Sequence, residues 1–177
     1  MQVDKLYFHS RSKDVIPGKG VNEYVKDVNI YEELQKIKDW RKVLSNFHIF
    51  PFQYKEYTYN TLEHLYQSQK IALVSPEKAY LFTLESGDAI GKGDGSIARK
   101  NRKIIILDND ILIKWSNIKH DIIYEASISK YKNCPEASNI LKATGEAELW
   151  HLVCRSNHHY RFIHLEKIRT LLKNDII

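Results

Sequence analysis

The sequence predicts a mainly helical α+β single domain with a few short antiparallel strands. Apolar residues recur at helical spacing over most of the chain, runs of aromatic and β-branched residues are confined to its first third, and neither a βαβ rhythm nor an internal repeat is visible. The 177 residues are the size of one ordinary domain, 1–177, and suffice to bury most of the unfolded surface in one core.

The elements follow in order. Val3 to His9 is a short strand, and the polar stretch with Pro17, Gly18 and Gly20 is a loop. Ile30, Leu34, Ile37, Trp40 and Leu44 then mark one amphipathic helix. Phe47 to Tyr59 is dense in aromatics and contains Pro51, which fits short edge strands. Asn60 opens the next helix. Ser75-Pro76-Glu77 supplies a cap, a proline at the first helical position and an acid in the first turn, so a helix of about three turns runs toward Gly87. Gly87 to Gly95 holds four of the seven glycines and reads as a loop leading into the basic run Arg99 to Lys103. Trp115, Ile118, Ile122 and Ala126 give a further helix, Pro135 to Ala143 another closed by Gly145, and Phe162, Leu165, Ile168 and Leu172 the last.

Composition narrows the function classes. Hydrophobic residues make up 43% and charged residues 28%, so neither disorder nor a fibrous repeat is expected. Two cysteines without CxxC spacing, Cys134 and Cys154, and an opening Met1 to Ser10 without an apolar core lead to the expectation of a reduced, cytoplasmic protein. That means the host cytoplasm if the gene is viral or phage-borne, an origin that the richness in Lys, Ile, Asn and Tyr would fit. No apolar run reaches the roughly 20 residues of a membrane helix. The balance of 27 Lys+Arg against 22 Asp+Glu gives +5, a modest excess that favours anionic partners. Gly87 to Gly93 reads GDAIGKG, without the Ser or Thr after GK that a P-loop needs to reach its metal. His151, His158, His159 and His164 lack HExxH or Cys/His ligand spacing, so no metal and no cofactor is expected.

In the helix after Asn60, Glu63, Gln67 and Lys70 are separated by four and three residues and share one face. Glu63 has a competing reading, because Asn60 followed three residues later by Glu63 is a capping-box pattern.

Leu44-Ser45-Asn46-Phe47, then Pro51-Phe52, then Thr61-x-Glu63-His64-x-Tyr66-Gln67-x-x-Lys70 resembles the signature of the NADAR family. Trp115-x-x-x-Lys119, Lys130-Tyr131, Ala143-Thr144-Gly145 and Glu148-Leu149 are similar to that family's second half, and Leu6 to Ser10 to its opening strand. The resemblance covers most of the chain, is strong over 44–70, and makes residues 11–43 an insertion atypical of the family. The family's tail carries an acidic residue before Tyr-Trp-Gly and then a glycine-rich loop. Here Trp150 to Tyr160 reads WHLVCRSNHHY, with Ser156 or Asn157 near the place of the acid.

The resemblance implies a NADAR/YbiA-like fold and a place in NAD and ADP-ribose metabolism. The family includes YbiA-like N-glycosidases of riboflavin-pathway intermediates and enzymes that remove ADP-ribose from guanine. The implied reaction is hydrolysis of an N-glycosidic bond in a small phosphorylated riboside or ADP-ribose-type ligand. Breaking a ribose to nitrogen bond builds positive charge on the sugar, which a carboxylate can stabilise while it deprotonates water, and Glu63 is the catalytic candidate. Trp115 would stack on the base or pack the core, Lys70 would neutralise phosphate, and Asn46 would hold ribose hydroxyls or form a turn. Phe47 would line the base pocket or the core, and Arg169 matches a basic residue of the family's last helix. The altered tail leaves a non-catalytic nucleotide-binding module as an alternative. A glycohydrolase acting on ADP-ribosylated guanine in nucleic acid is another, though the run Arg99, Lys100, Arg102 and Lys103 lacks interleaved aromatics and reads as a solvated patch.

Overall fold

Leu6 and Phe8 alternate with Lys5 and Tyr7, so a strand over these residues buries one face; β1 (Lys5–Phe8) forms there in the computed structural model, which describes residues 2–153 and 158–177. Contacts divide the chain into two compact units, Met1–Ser45 with Cys134–Ile177, and Asn46–Asn133. Cys154, Ser156 and Asn157, including the place of the family acid, lie outside the described residues.

The first unit begins with β1 and the segment over 11–43. A 3-10 turn at Val28–Tyr31, capped by Asp27, leads into α1 (Glu32–Lys36), and α2 (Trp40–Val43) follows. The single helix expected from Ile30 to Leu44 is therefore broken. Ile37 is extended with ψ 111° and Asp39 adopts the left-handed region at φ 56°, which aspartate tolerates better than most residues. The apolar stripe survives the break in part: Leu34, Trp40 and Leu44 are buried, whereas Ile30 is exposed.

The second unit is one contiguous stretch of chain. β2 (Phe52–Tyr54) and β3 (Tyr57–Tyr59) pair as an antiparallel hairpin, with Lys55 in the left-handed region at φ 53°. α3 (Leu62–Ile71) packs against α4 (Pro76–Tyr80), against α6 (Gly95–Lys100) and against α7 (Asn109–Asn133). Phe52, Tyr54, Tyr59, Leu62, Leu65 and Ala126 form one core cluster, and Ile71, Ala79, Phe82 and Ala98 a second. α3 contributes to both, which fixes its exposed face.

Two expectations need correction here. The three-turn helix after Ser75 stops at Tyr80, because Thr83 Oγ1 donates to the Tyr80 carbonyl and Ser86 Oγ to the Thr83 carbonyl, each at 2.8 Å, so hydroxyls take up carbonyls that a continuing helix would use. The glycine-rich stretch is not simply a loop. Asp88 caps α5 (Ala89–Lys92) by accepting from Ile90 N at 2.7 Å, and Asp94 caps α6 by accepting from Ser96 N and Ile97 N, so the two caps outweigh the glycines. The basic run then ends α6 and continues into a 3-10 turn at Asn101–Lys103.

The chain returns to the first unit with α8 (Pro135–Ala143), which begins on proline and is followed by Gly145 at φ 64°, both as expected. β4 (Glu148–Leu152) and β5 (His159–Arg161) pair antiparallel, and α9 (Ile163–Lys173) buries Leu165, Ile168 and Leu172. The sheet order is β1-β4-β5, and β1 pairs with β4 in parallel, Leu6 opposite Leu149. This parallel pair departs from the expected antiparallel strands. β1 and β4 come from opposite ends of the chain, so no hairpin imposes the sense of their pairing. The architecture is mainly helical α+β with short strands. Among the described residues no helix is long and apolar enough to cross a membrane.

Candidate active site

The site is built on α3. Its cap is Thr61, whose Oγ1 accepts from His64 N, so the capping box expected between Asn60 and Glu63 does not form. Asn60 instead donates through Nδ2 to the carbonyls of Lys92 and Gly93, at 3.2 and 2.7 Å. His64 is fully buried, with Nδ1 2.8 Å from Thr61 Oγ1 and Nε2 2.8 Å from the Ile90 carbonyl. Burial pushes its pKa down, and the neutral ring that donates to Ile90 from Nε2 and accepts the Thr61 hydroxyl at Nδ1 satisfies every partner. These bonds pin the start of α3 to the 88–93 segment.

Freed from capping, Glu63 faces the site. Its backbone N–H donates to the Asn46 carbonyl at 3.0 Å, and its Oε1 accepts from Gln67 Nε2 at 2.7 Å. Among the described residues Oε2 makes no hydrogen bond. Burial pushes the Glu63 carboxyl above the usual carboxylate range, while the Gln67 hydrogen bond and the charges of Arg99, Lys70 and Arg102 pull it back. Lys70 lies one turn beyond Gln67 with its ammonium 5.8 Å from the Tyr66 ring centre, and burial lowers its pKa against the pull of Glu63. Trp115 of α7 is 4% exposed and meets the Tyr66 ring edge-on at 4.9 Å.

The segment before β2 closes the other side. The Phe47 carbonyl accepts from Gly95 N at 3.2 Å, and a Cβ at Gly95 would stand 2.4 Å from Phe47 Cα. Only glycine permits that approach, and the first turn of α6 is thereby set against Phe47. One turn further on, the Arg99 guanidinium lies 5.9 Å from the Phe47 ring centre.

Asn46, Phe47, Glu63, Lys70 and Trp115 thus belong to one unit and connect through these contacts. Arg169 belongs to the other unit, where it is buried and donates to Thr144 Oγ1 at 2.8 Å and to the Ala147 carbonyl at 2.9 Å. Three buried polar atoms of the site, Asn46 Oδ1, Gln67 Oε1 and Trp115 Nε1, have no hydrogen-bond partner among the described residues. Native proteins leave few such groups, and these three are free to bond a polar ligand. Gln67, Arg99 and Arg102 are participants that the sequence reading leaves outside the candidate list. Gln67 carries a local signal in its spacing from Glu63, whereas the two arginines carry none. Among the described residues no group of three His, Cys, Asp or Glu side chains could hold a metal ion.

No family model and no curated protein sequence matches the chain. Among solved structures it is similar to the NMR structure of the E. coli protein YbiA, with a TM-score of 0.55 and 15% identity, over 99% of this chain and 86% of that one. At that identity the likeness shows the fold, which is the YbiA-like α+β fold.

Proposed function

We propose that the chain hydrolyses the N-glycosidic bond of a phosphorylated riboside, with Glu63 as general base. The observation that carries this reading is Glu63 itself: a buried carboxylate whose Oε1 accepts from Gln67, on a residue bonded to Asn46 and Gln67, each of which carries a buried oxygen without a partner among the described residues. In the reaction the C1′–N bond breaks and its electron pair leaves with the base. Positive charge grows on the sugar, water bonds to C1′, and Glu63 Oε2 takes the water proton, which is returned to the departing nitrogen. Asn46 Oδ1 and Gln67 Oε1 would accept from ribose hydroxyls, and Trp115 Nε1 would donate to a base or sugar oxygen. The fold shared with YbiA is compatible with the family that the signature over 44–70 resembles.

The test is incubation of the purified protein with aminopyrimidine ribose phosphates and with ADP-ribosyl guanosine, read by mass spectrometry. Release of the free base is expected from one class, and Glu63→Gln should lose at least ~10²-fold in rate while keeping the fold. No release from either class by folded protein overturns the reading. A second reading rests on the absence of any acid between Trp150 and Tyr160, which makes the chain a non-catalytic ADP-ribose-binding module. Calorimetric binding of ADP-ribose without turnover would select it.

A further inference from the structure

The first turns of α7 are held to their own unit by a narrow stripe. Trp115 is buried against Tyr66, and the next buried residue along the helix is Ala126. Ile111, Ile118 and Ile122 complete the stripe, partly buried at helical spacing. The outer side of these turns should be polar, yet Ile113 is 61% exposed, Leu112 44%, and Ile106, just ahead of the helix, 93%. Single exposed aliphatic side chains are ordinary, but three within 106–113 form a patch of the kind that marks interfaces. Asp110, Ile113, Lys114 and Asn117 are spaced as neighbours on one helix face, and all four are exposed. Among the described residues neither Asp110 nor Lys114 is ion-paired. The acid precedes Ile113 and the base follows it, so the pattern is complementary to itself. About a two-fold axis at Leu112, an antiparallel second copy places its Lys114 beside Asp110 and its Asp110 beside Lys114, with the two Ile113 side chains between the pairs. An anionic lipid surface fits less well, because 108–121 carries three aspartates against two lysines.

We propose that the outer face of α7 docks on a second copy of this chain, antiparallel, through Ile106, Asp110, Ile113 and Lys114, with Asp110 of each copy paired to the partner's Lys114. Two helix turns, about 11 Å of a cylinder about 10–12 Å across, fall well short of the roughly 1,200–2,000 Å² of a stable interface. The dimer is therefore weak and depends on concentration. It does not depend on the glycosidase reading, but its effect reaches the candidate site, since the docked turns carry Trp115 on their inner side. A partner that braces these turns also braces the indole against Tyr66.

The experiment is sedimentation velocity on the full chain from about 1 μM to about 500 μM. It is repeated on Ile113→Asp, Asp110→Lys, Lys114→Asp, the double exchange Asp110→Lys/Lys114→Asp, and an equimolar mixture of the two single exchanges. The substituted side chains are exposed, so circular dichroism should show these variants folded. The parent should show a reversible monomer-dimer equilibrium. Ile113→Asp and each single exchange should weaken it at least ~10-fold, the exchanges because like charges then face each other. The double exchange and the mixture should regain the parent's affinity to within about threefold. Asp110 also lies in the first turn of α7, where an acid favours the helix. The mixture separates the two roles, because it contains only chains that fail alone. A parent that stays monomeric throughout overturns the proposal, as does a dimer that Ile113→Asp leaves unchanged. Single exchanges that do not weaken the dimer, or a mixture no tighter than its components, overturn the antiparallel pairing and the proposal with it. Flotation with vesicles of phosphatidylglycerol and phosphatidylcholine is the last arm: binding by a monomeric parent that Ile106→Ser abolishes would assign the patch to lipid and overturn the second copy.

Discussion

Glu63 illustrates the tension between stability and chemistry at the scale of one residue. Its folded pKa lies above the ordinary carboxylate value, so between the two values the folded state binds more protons than the unfolded one, and stability falls as pH rises through that window. The groups that act on it are Gln67 and Lys70 on its own helix, Arg99 in the last turn of α6 and Arg102 in the 3-10 turn that follows. Trp115, on the packed α7, reaches Tyr66 as an uncharged ring. Glu63→Gln keeps the acceptor that Gln67 uses and removes the buried charge. The variant should therefore melt higher than the parent at neutral pH, and the gap should close below about pH 4, the range of an unperturbed glutamate. Paired thermal melts across that range are the check, and a Glu63→Gln variant less stable than the parent at neutral pH would show that the carboxylate supports the fold. The face shared by Glu63, Gln67 and Lys70 is legible in sequence because helical spacing is local. Arg99 and Arg102 are not legible, because their approach depends on how α6 packs on α3 and on the close contact of Gly95 with Phe47.

Among the elements, the segment over 11–43 is organised by a buried ion pair rather than by its helices. Arg41 donates to Glu23 through Nε at 2.8 Å and Nη2 at 2.7 Å, and also to the carbonyls of Val15 and Ile16. The Glu23 carboxylate further accepts from the backbone N–H groups of Tyr7, Gly18 and Gly20. The pair ties the loop to the edge of β1, and both side chains are almost wholly buried. Breaking such a pair from one side leaves an uncompensated buried charge, so Arg41→Ala should cost about 3–5 kcal/mol in urea denaturation. Lys36→Ala, at the exposed ion pairs with Glu32 and Glu33, should change stability little. A small loss for Arg41→Ala would mean that water reaches Glu23. The periodicity of Ile30, Leu34, Trp40 and Leu44 predicts helix here, yet it is blind to the two backbone reversals at Ile37 and Asp39. An apolar stripe records which side chains are buried, and two short helices can present them as one long helix would.

For the whole molecule, five of the six candidate residues fall in Asn46–Asn133, a unit built from one uninterrupted stretch, and this is where the sequence resemblance over 44–70 mostly lies. A site assembled from local segments leaves a local pattern in the sequence. The first unit is assembled from both ends of the chain, and its parallel β1-β4 pair leaves no such pattern.

The remaining question at this scale is whether the ligand comes free or attached to nucleic acid, since Arg99, Lys100, Arg102 and Lys103 could follow a phosphate backbone. A net charge of +5 over 177 residues is small for a nucleic-acid protein, and Arg99 and Arg102 already act on Glu63. Binding through phosphates would release counterions, with a log-log salt slope of about −0.9 per duplex phosphate contact or about −0.7 on single strands. We expect affinity for DNA to be weak and its slope shallower than about −3, because so small a net charge supports only a few phosphate contacts. Fluorescence anisotropy over a salt series, on the parent and on the variant with all four basic residues replaced by Gln, measures this directly. A slope steeper than about −3 that the four substitutions abolish would make nucleic acid the carrier of the substrate.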